Sequence, residues 1–233
     1  MGFAEVADGV HVWRYPVLDV NCTLITGGAR ALLVDTLSGP SQARELAAGV
    51  RAVTSLPVAV VNTHAHFDHC FGNAVMRDEL GVADFYAHRS VAAVLNGDVG
   101  GLIERIVAAY GHLDAVMAAE LPGIEPCAPN RFVTGETTLD LGGREVRLRH
   151  VGHAHSPGDV VVVTDGVVVA GDIVEEGAEP QTGDADLVGW VAALAALAPD
   201  LSGSIVVPGH GALVDAAFVA AQARQLADRK EHS

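Results

Sequence analysis

Apolar residues run through this chain in short β-branched blocks, each closed by Gly, Pro, Asn or Asp. Residues 10–14, 22–26 and 31–35 are such blocks, and Gly27-Gly28 between the last two predicts a hairpin turn. Residues 57–62 are continuously apolar rather than alternating, which predicts a strand buried on both faces. Residues 84–88 predict another strand. Between these, residues 41–54 place Leu46, Val50 and Val53 at helical spacing. Residues 89 to about 120 predict mostly helix, broken at Gly97, Gly100, Gly101 and Gly111, with the segment 121–126 as its end. The second half repeats the rhythm. Strands are predicted at 137–141, 145–149, 159–164 and 167–170, with turns at Gly142-Gly143 and Asp165-Gly166. A helix over 186–197, a strand over 204–207 and a final helix over 212–230 complete the pattern. Two halves, each strand-rich and then helical, predict an α/β fold.

Composition bounds this picture. A chain of 233 residues, half of them hydrophobic, fits one domain spanning 1–233, with a helical insert at about 89–126. The net charge of −15 argues against a nucleic-acid partner, because phosphate backbones demand clustered Lys and Arg, and Lys230 is the sole lysine. No basic-then-apolar leader opens the sequence, and no apolar run is long enough to cross a bilayer, so no membrane partner is expected. Cys22, Cys70 and Cys127 are odd in number and form no disulfide framework, which fits a cytoplasmic location. No oligomeric state is specified.

The chemistry concentrates at His64-Ala65-His66-Phe67-Asp68-His69, directly after the predicted strand 57–62. Ligand sites in open α/β architectures favour that edge. His64 and His66, two apart, point to one side of an extended segment. Asp68 and His69 follow as the loop turns toward Phe71-Gly72-Asn73, aimed at a second, nearby position. Neutral imidazole with a hard carboxylate suits metal binding. Three further segments set a potential ligand against Gly or Pro beside a β-rich run: His155-Ser156-Pro157-Gly158-Asp159, Gly171-Asp172 and Pro208-Gly209-His210-Gly211.

With these motifs in this order, the chain resembles the metallo-β-lactamase fold superfamily of metallohydrolases over nearly its whole length. The resemblance implies a four-layer αβ/βα sandwich. It implies His64, His66 and His155 as ligands of a first metal, Asp68, His69 and His210 as ligands of a second, and Asp172 as the carboxylate bridging both. His153 competes with His155, but the family places its histidine directly before Thr/Ser-x-Gly, the position of His155. His88 and His150 read as structural. Cys70 reads as a buried small residue, with a metal or redox role as the alternative.

The resemblance further implies two zinc ions, with iron or manganese as alternatives, and a hydroxide held between them, oriented or deprotonated by Asp68. Departures from named branches narrow the expectation. The true β-lactamases of the family lack the bridging Asp. Glyoxalase II has a longer C-terminal region with basic contacts. The acyl-homoserine lactonases carry Tyr where Glu175 stands. The diiron flavoproteins have Glu in place of His66. The reading is a glyoxalase II-like or lactonase-like zinc hydrolase, not a true β-lactamase, acting on a small ester, thioester or lactone. The alternatives are a mononuclear iron persulfide dioxygenase-like enzyme and a metal-binding protein without turnover. The insert is expected to wall the substrate cleft through Leu102, Ile106 and Met117. The acidic segment 175–180 is either a cleft rim that disfavours anions or a solvated loop.

Overall fold

The β-branched blocks pair into two sheets. The structure, a computed structural model, describes residues 2–231. The first sheet holds, in chain order, β1 (Ala4–Ala7), β2 (Val10–Arg14), β3 (Asn21–Thr26), β4 (Ala31–Val34), β5 (Val58–Val61), β6 (Phe85–Ala87) and β7 (Arg131–Phe132). Its strands are antiparallel as far as β4 and parallel beyond it. The second sheet holds β8 (Glu136–Asp140), β9 (Glu145–His150), β10 (Val160–Thr164), β11 (Val167–Glu175) and β12 (Ile205–His210). Here only β11 and β12 run parallel. The helices are α1 (Pro40–Val53), α2 (Phe67–Cys70), α3 (Asn73–Leu80), α4 (Arg89–Leu95), α5 (Val99–Tyr110), α6 (Ala115–Glu120), α7 (Leu187–Leu201) and α8 (Ala216–Glu231). The parallel pairs, which no tight turn can join, are linked by helical crossovers: α1 between β4 and β5, α2 and α3 between β5 and β6, α4 to α6 between β6 and β7, and α7 between β11 and β12.

The continuous valine runs follow from the layering. Val160 and Val162 of β10 face the other sheet, where Ile25, Leu32, Val34 and Val61 meet Leu148 and Val169. Val161 and Val163 face outward, under Trp190, Leu194 and Leu197 of α7 and Leu226 of α8. On the far side, Leu46 and Val50 of α1 and Met76 and Leu80 of α3 cover Trp13, Leu24 and Leu33. A strand buried on both faces has no reason to alternate. The result is the αβ/βα sandwich. Each fully buried aliphatic side chain contributes about 1.5–3 kcal/mol relative to exposure.

Several local differences from the sequence pattern have physical causes. β11 runs on to Glu175, so Asp172 lies inside a strand rather than after one. Its pairing with β12 slips between Val169 and Gly171 and again before Glu175. Such irregularities re-aim side chains and are common beside functional sites. The last helix starts at Ala216, because Val214 first pairs with Val206. α7 continues through Pro199 to Leu201, a proline near its C-terminal end. Asp68 and His69 sit on the one-turn helix α2 rather than on a loop. α3 and the edge strands β1 and β7 carry too weak a pattern to be read from sequence. No helix among the described residues is long and apolar enough to cross a membrane.

Candidate metal centre

The site forms where strand ends of both sheets meet. Asp35 follows β4, Asn62-Thr63-His64 follow β5, Asp172 lies in β11, and β12 ends at His210. The two sheets are stitched together here. Val20 bridges His210, and Asn21 Nδ2 donates to Pro208 O at 3.0 Å and Gly211 O at 2.9 Å. Close backbone approach demands glycine at two points. A Cβ on Gly72 would collide with the Thr36 carbonyl, and one on Gly209 with Asp172 Oδ1.

Seven side chains converge in two groups. His64, His66, His155 and Asp172 form one, and Asp68, His69 and His210 the other, with the potential ligand atoms of each group within 4.8 Å of one another. In the first, His66 Nδ1 lies 3.0 Å from His64 Nε2 and 2.9 Å from His155 Nε2. Asp172 Oδ2 is 3.7 Å from His64 Nε2 and 3.6 Å from His155 Nε2. In the second, His210 Nε2 is 3.3 Å from His69 Nε2 and 3.4 Å from Asp68 Oδ2. Asp172 also reaches this group, with Oδ1 3.2 Å from His69 Nε2 and Oδ2 3.3 Å from His210 Nε2. It stands between the two.

Each ring is held at the nitrogen facing away from the site. Thr63 Oγ1 donates to Asp35 Oδ2 at 2.8 Å and lies 3.0 Å from His64 Nδ1. His69 Nδ1 meets the same carboxylate at 2.8 Å. His210 Nδ1 donates to Leu18 O at 2.7 Å. His66 Nε2 is 3.2 Å from Asp184, and His155 Nδ1 is 3.2 Å from Glu175. Anchored this way, the rings turn their remaining nitrogens inward, toward one another and Asp172. Asp35 takes a left-handed backbone at φ 63° and Leu18 one at φ 60°, conformations that cost energy and recur at functional sites.

The donor set fits a metal. His66 Nδ1 lies about 3 Å from two other ring nitrogens and cannot form a good hydrogen bond with both, and Asp172 Oδ1 is buried with no aligned hydrogen-bond donor. Charge points the same way. Burial, reinforced by His69, pushes His64 far below its usual pKa, leaving it neutral as a ligand must be. Burial works against charge on His210, but Asp172 and Asp68 outweigh it and raise its pKa to about 9. Burial likewise opposes charge on Asp172, yet His69, His210 and His64 hold its carboxyl well below the usual range. The site attracts positive charge.

The family model of the metallo-beta-lactamase superfamily matches residues 15–228. The chain belongs to that superfamily. Among solved structures, the metallo-beta-lactamase from Pontibacter korlensis superposes with a TM-score of 0.74 at 20% identity, covering 97% of this chain and 98% of that one. The DIM-1 metallo-beta-lactamase exposed to ceftazidime gives 0.69 at 20% identity, covering 98% and 96%. The mono-zinc form of FIM-1 from Pseudomonas aeruginosa gives 0.71 at 20% identity, covering 97% and 95%. At this identity the likeness shows the fold. No curated protein matches the sequence.

A cleft of about 720 Å³ opens over this superfamily site. The insert forms one wall through Val94, Leu102, Ile106 and Tyr110, beside Phe67. Met117 does not line it; it is packed inside with Leu121, Val91 and Ile103, because α6 turns its apolar face onto the domain. His153 stays outside both ligand groups: it is exposed, and its Nε2 contacts Asp184 O at 2.7 Å. His88 and His150 stack on each other at 4.1 Å, away from the ligand groups. Cys70 is buried, its thiol donating to the carbonyls of Ala65 and His66. The sequence marks neither Asp35, Thr63 nor Asp184 as supporting groups, and it marks Glu175 only as the start of the acidic segment 175–180, part of which does line the cleft. Asp35 did leave a signal, as a charge closing a wholly apolar strand. The contacts of Glu175 with His155 and of Asp184 with His66 left none, because they join residues well apart in the chain.

Proposed function

We propose that the protein is a zinc hydrolase of a small ester, thioester or lactone, in the glyoxalase II-like or lactonase-like branch of the superfamily. The observation that carries this reading is Asp172 standing between two complete ligand groups on the floor of a cleft with an apolar wall. Two zinc ions held there would supply Lewis acidity and lower the pKa of water toward about 7.

The chain's own residues do the rest. Asp68 reaches the cleft while nearly buried, so it can orient an attacking water and accept its proton. That proton then passes to the leaving alcohol or thiol as the C–O or C–S bond breaks. Val94, Leu102, Ile106, Tyr110 and Phe67 receive the apolar part of the substrate. Among the described residues no Lys or Arg lines the cleft, while Asp19, Glu175, Glu176 and Asp184 do, so a neutral or weakly charged substrate fits better than a nucleic acid or a glutathione conjugate. Three free cysteines agree with a reducing, cytoplasmic compartment.

The test combines metal analysis of protein purified without added metal with a substrate panel. About two zinc ions per chain and turnover of esters, thioesters or lactones support the reading. Preference for phosphodiesters, β-lactams or glutathione thioesters would overturn the substrate class. The first group alone, three imidazoles and a carboxylate, also suits iron. One iron per chain with persulfide oxidation would favour the dioxygenase. Stable metal with no turnover of any substrate would favour a binding protein.

A further inference from the structure

Glu175 is a buried carboxylate with three connections, only 6% exposed. Its Oε1 lies 3.2 Å from His155 Nδ1, an ion-pair contact rather than an aligned hydrogen bond. The same carboxylate accepts from the backbone N–H of Gln181, at 3.1 Å through Oε1 and 3.3 Å through Oε2. Its own N–H donates to Gln222 Oε1 at 3.1 Å, and Gln222 Nε2 donates to Ile173 O at 2.8 Å, fixing the end of β11 against α8. Trp190 of α7, anchored by its Nε1 on Ile173 O at 2.8 Å, meets the His155 ring edge-on, with ring centroids 5.4 Å apart. Between Glu175 and Gln181 runs the rim of the cleft, including Glu176, Gly177 and Ala178.

We propose that Glu175 is a positioning residue that aims His155 into the first ligand group and pins the 176–181 rim of the cleft to that group. The inference rests on the metal-site part of the function reading and not on its substrate. An imidazole that ligates through Nε2 needs its Nδ1–H held, and a buried carboxylate is the strongest neutral-pH acceptor for it. Among the described residues Glu175 is the one carboxylate paired with that nitrogen, whereas His69 has Asp35 and His210 has the Leu18 carbonyl. Loss of Glu175 therefore acts on one ligand group and leaves the other intact.

The experiment compares wild type, Glu175→Gln and Glu175→Ala after metal stripping, by zinc titration against a chromophoric chelator. It is repeated in a His210→Ala background, which reports the first group, and a His66→Ala background, which reports the second. Thermal melts of each protein check folding. Glu175→Ala should weaken zinc at the first group by about 10- to 100-fold and leave the second within about twofold. Glu175→Gln should recover part of the loss, because its amide oxygen accepts from both His155 and Gln181. Equal weakening of both groups, or no weakening of either, overturns the proposal. If a background variant fails to fold, the two-step titration of the otherwise wild-type chain decides: one step must shift and the other stay. Group-selective weakening in a protein that hydrolyses nothing would leave this inference standing and defeat the hydrolase.

Discussion

The floor of the cleft and its helical wall are built on opposite terms. The floor draws its ligands from scattered points on both sheets, and His64, His69, His155 and Asp172 are all nearly inaccessible. Every ring there faces a polar partner at its far nitrogen, by hydrogen bond or, for His155, by an ion-pair contact. The wall comes from the single stretch 89–126. Asp98 caps α5 by accepting from Gly101 N–H at 3.0 Å, and Asp114 caps α6 by accepting from Met117 N–H at 2.6 Å. Ile103, Ile106, Met117 and Leu121 pin the wall to the domain, yet Tyr110 is 40% exposed, Leu113 54% and Val116 57%. A metal site needs ligand atoms fixed within a fraction of an ångström, which only packing from several directions provides. A hydrophobic wall needs only apolar area in roughly the right place. Substrate choice can therefore change without disturbing the floor.

The largest effect that would sharpen this contrast is Asp172→Ala. Turnover should fall on the order of 1,000-fold, with metal content reduced, while the thermal melt shows a folded chain. With a cation in each group, the carboxylate between them would offset charge that otherwise repels. Full metal occupancy with undiminished turnover would show the floor does not depend on it.

Next comes pH. His210 is raised to about 9, so its share of stability in metal-stripped protein is fully present below its ordinary pKa of 6.5 and is lost as pH rises through about 9. Asp172 is depressed, so its share is present above the usual carboxylate range and is lost as pH falls through its lowered value. A cation must displace the His210 proton, so zinc affinity should rise with pH up to about 9, by about tenfold per unit for each proton released. Calorimetry in buffers of different ionisation heat measures that release. No release, with affinity flat between pH 6.5 and 9, would contradict this account of the floor.

The wall should respond more gently. Tyr110 packs its ring 5.5 Å from Phe67 at the cleft edge. Tyr110→Ala should raise KM for apolar acyl substrates by roughly fivefold, about 1 kcal/mol, with zinc content unchanged. A loss of metal in this variant would mean that wall and floor are not independent. The smallest effect is expected for His153→Ala. Its ring meets the Asp184 carbonyl and belongs to neither ligand group, so metal stoichiometry should hold and stability should move by about 1 kcal/mol or less. Loss of one zinc would make His153 a ligand after all.

The sequence alone determined the strand and helix rhythm, because burial on both faces writes continuous apolar runs and a helix face writes a spacing of three and four. It also pointed to the seven residues that converge, through the His64–His69 cluster, the ligand types set against Gly or Pro, and the order they share with the superfamily. Only the tertiary structure decided what surrounds them. Glu175 reaches His155 from 20 residues away, Asp184 reaches His66 from 118, and Leu18 reaches His210 from 192. Met117 could not be told from a cleft residue, since an apolar side chain on an amphipathic helix reads the same whether it faces a core or a substrate. Which way α6 turns is set by packing against the rest of the domain, and that interaction has no local pattern to read.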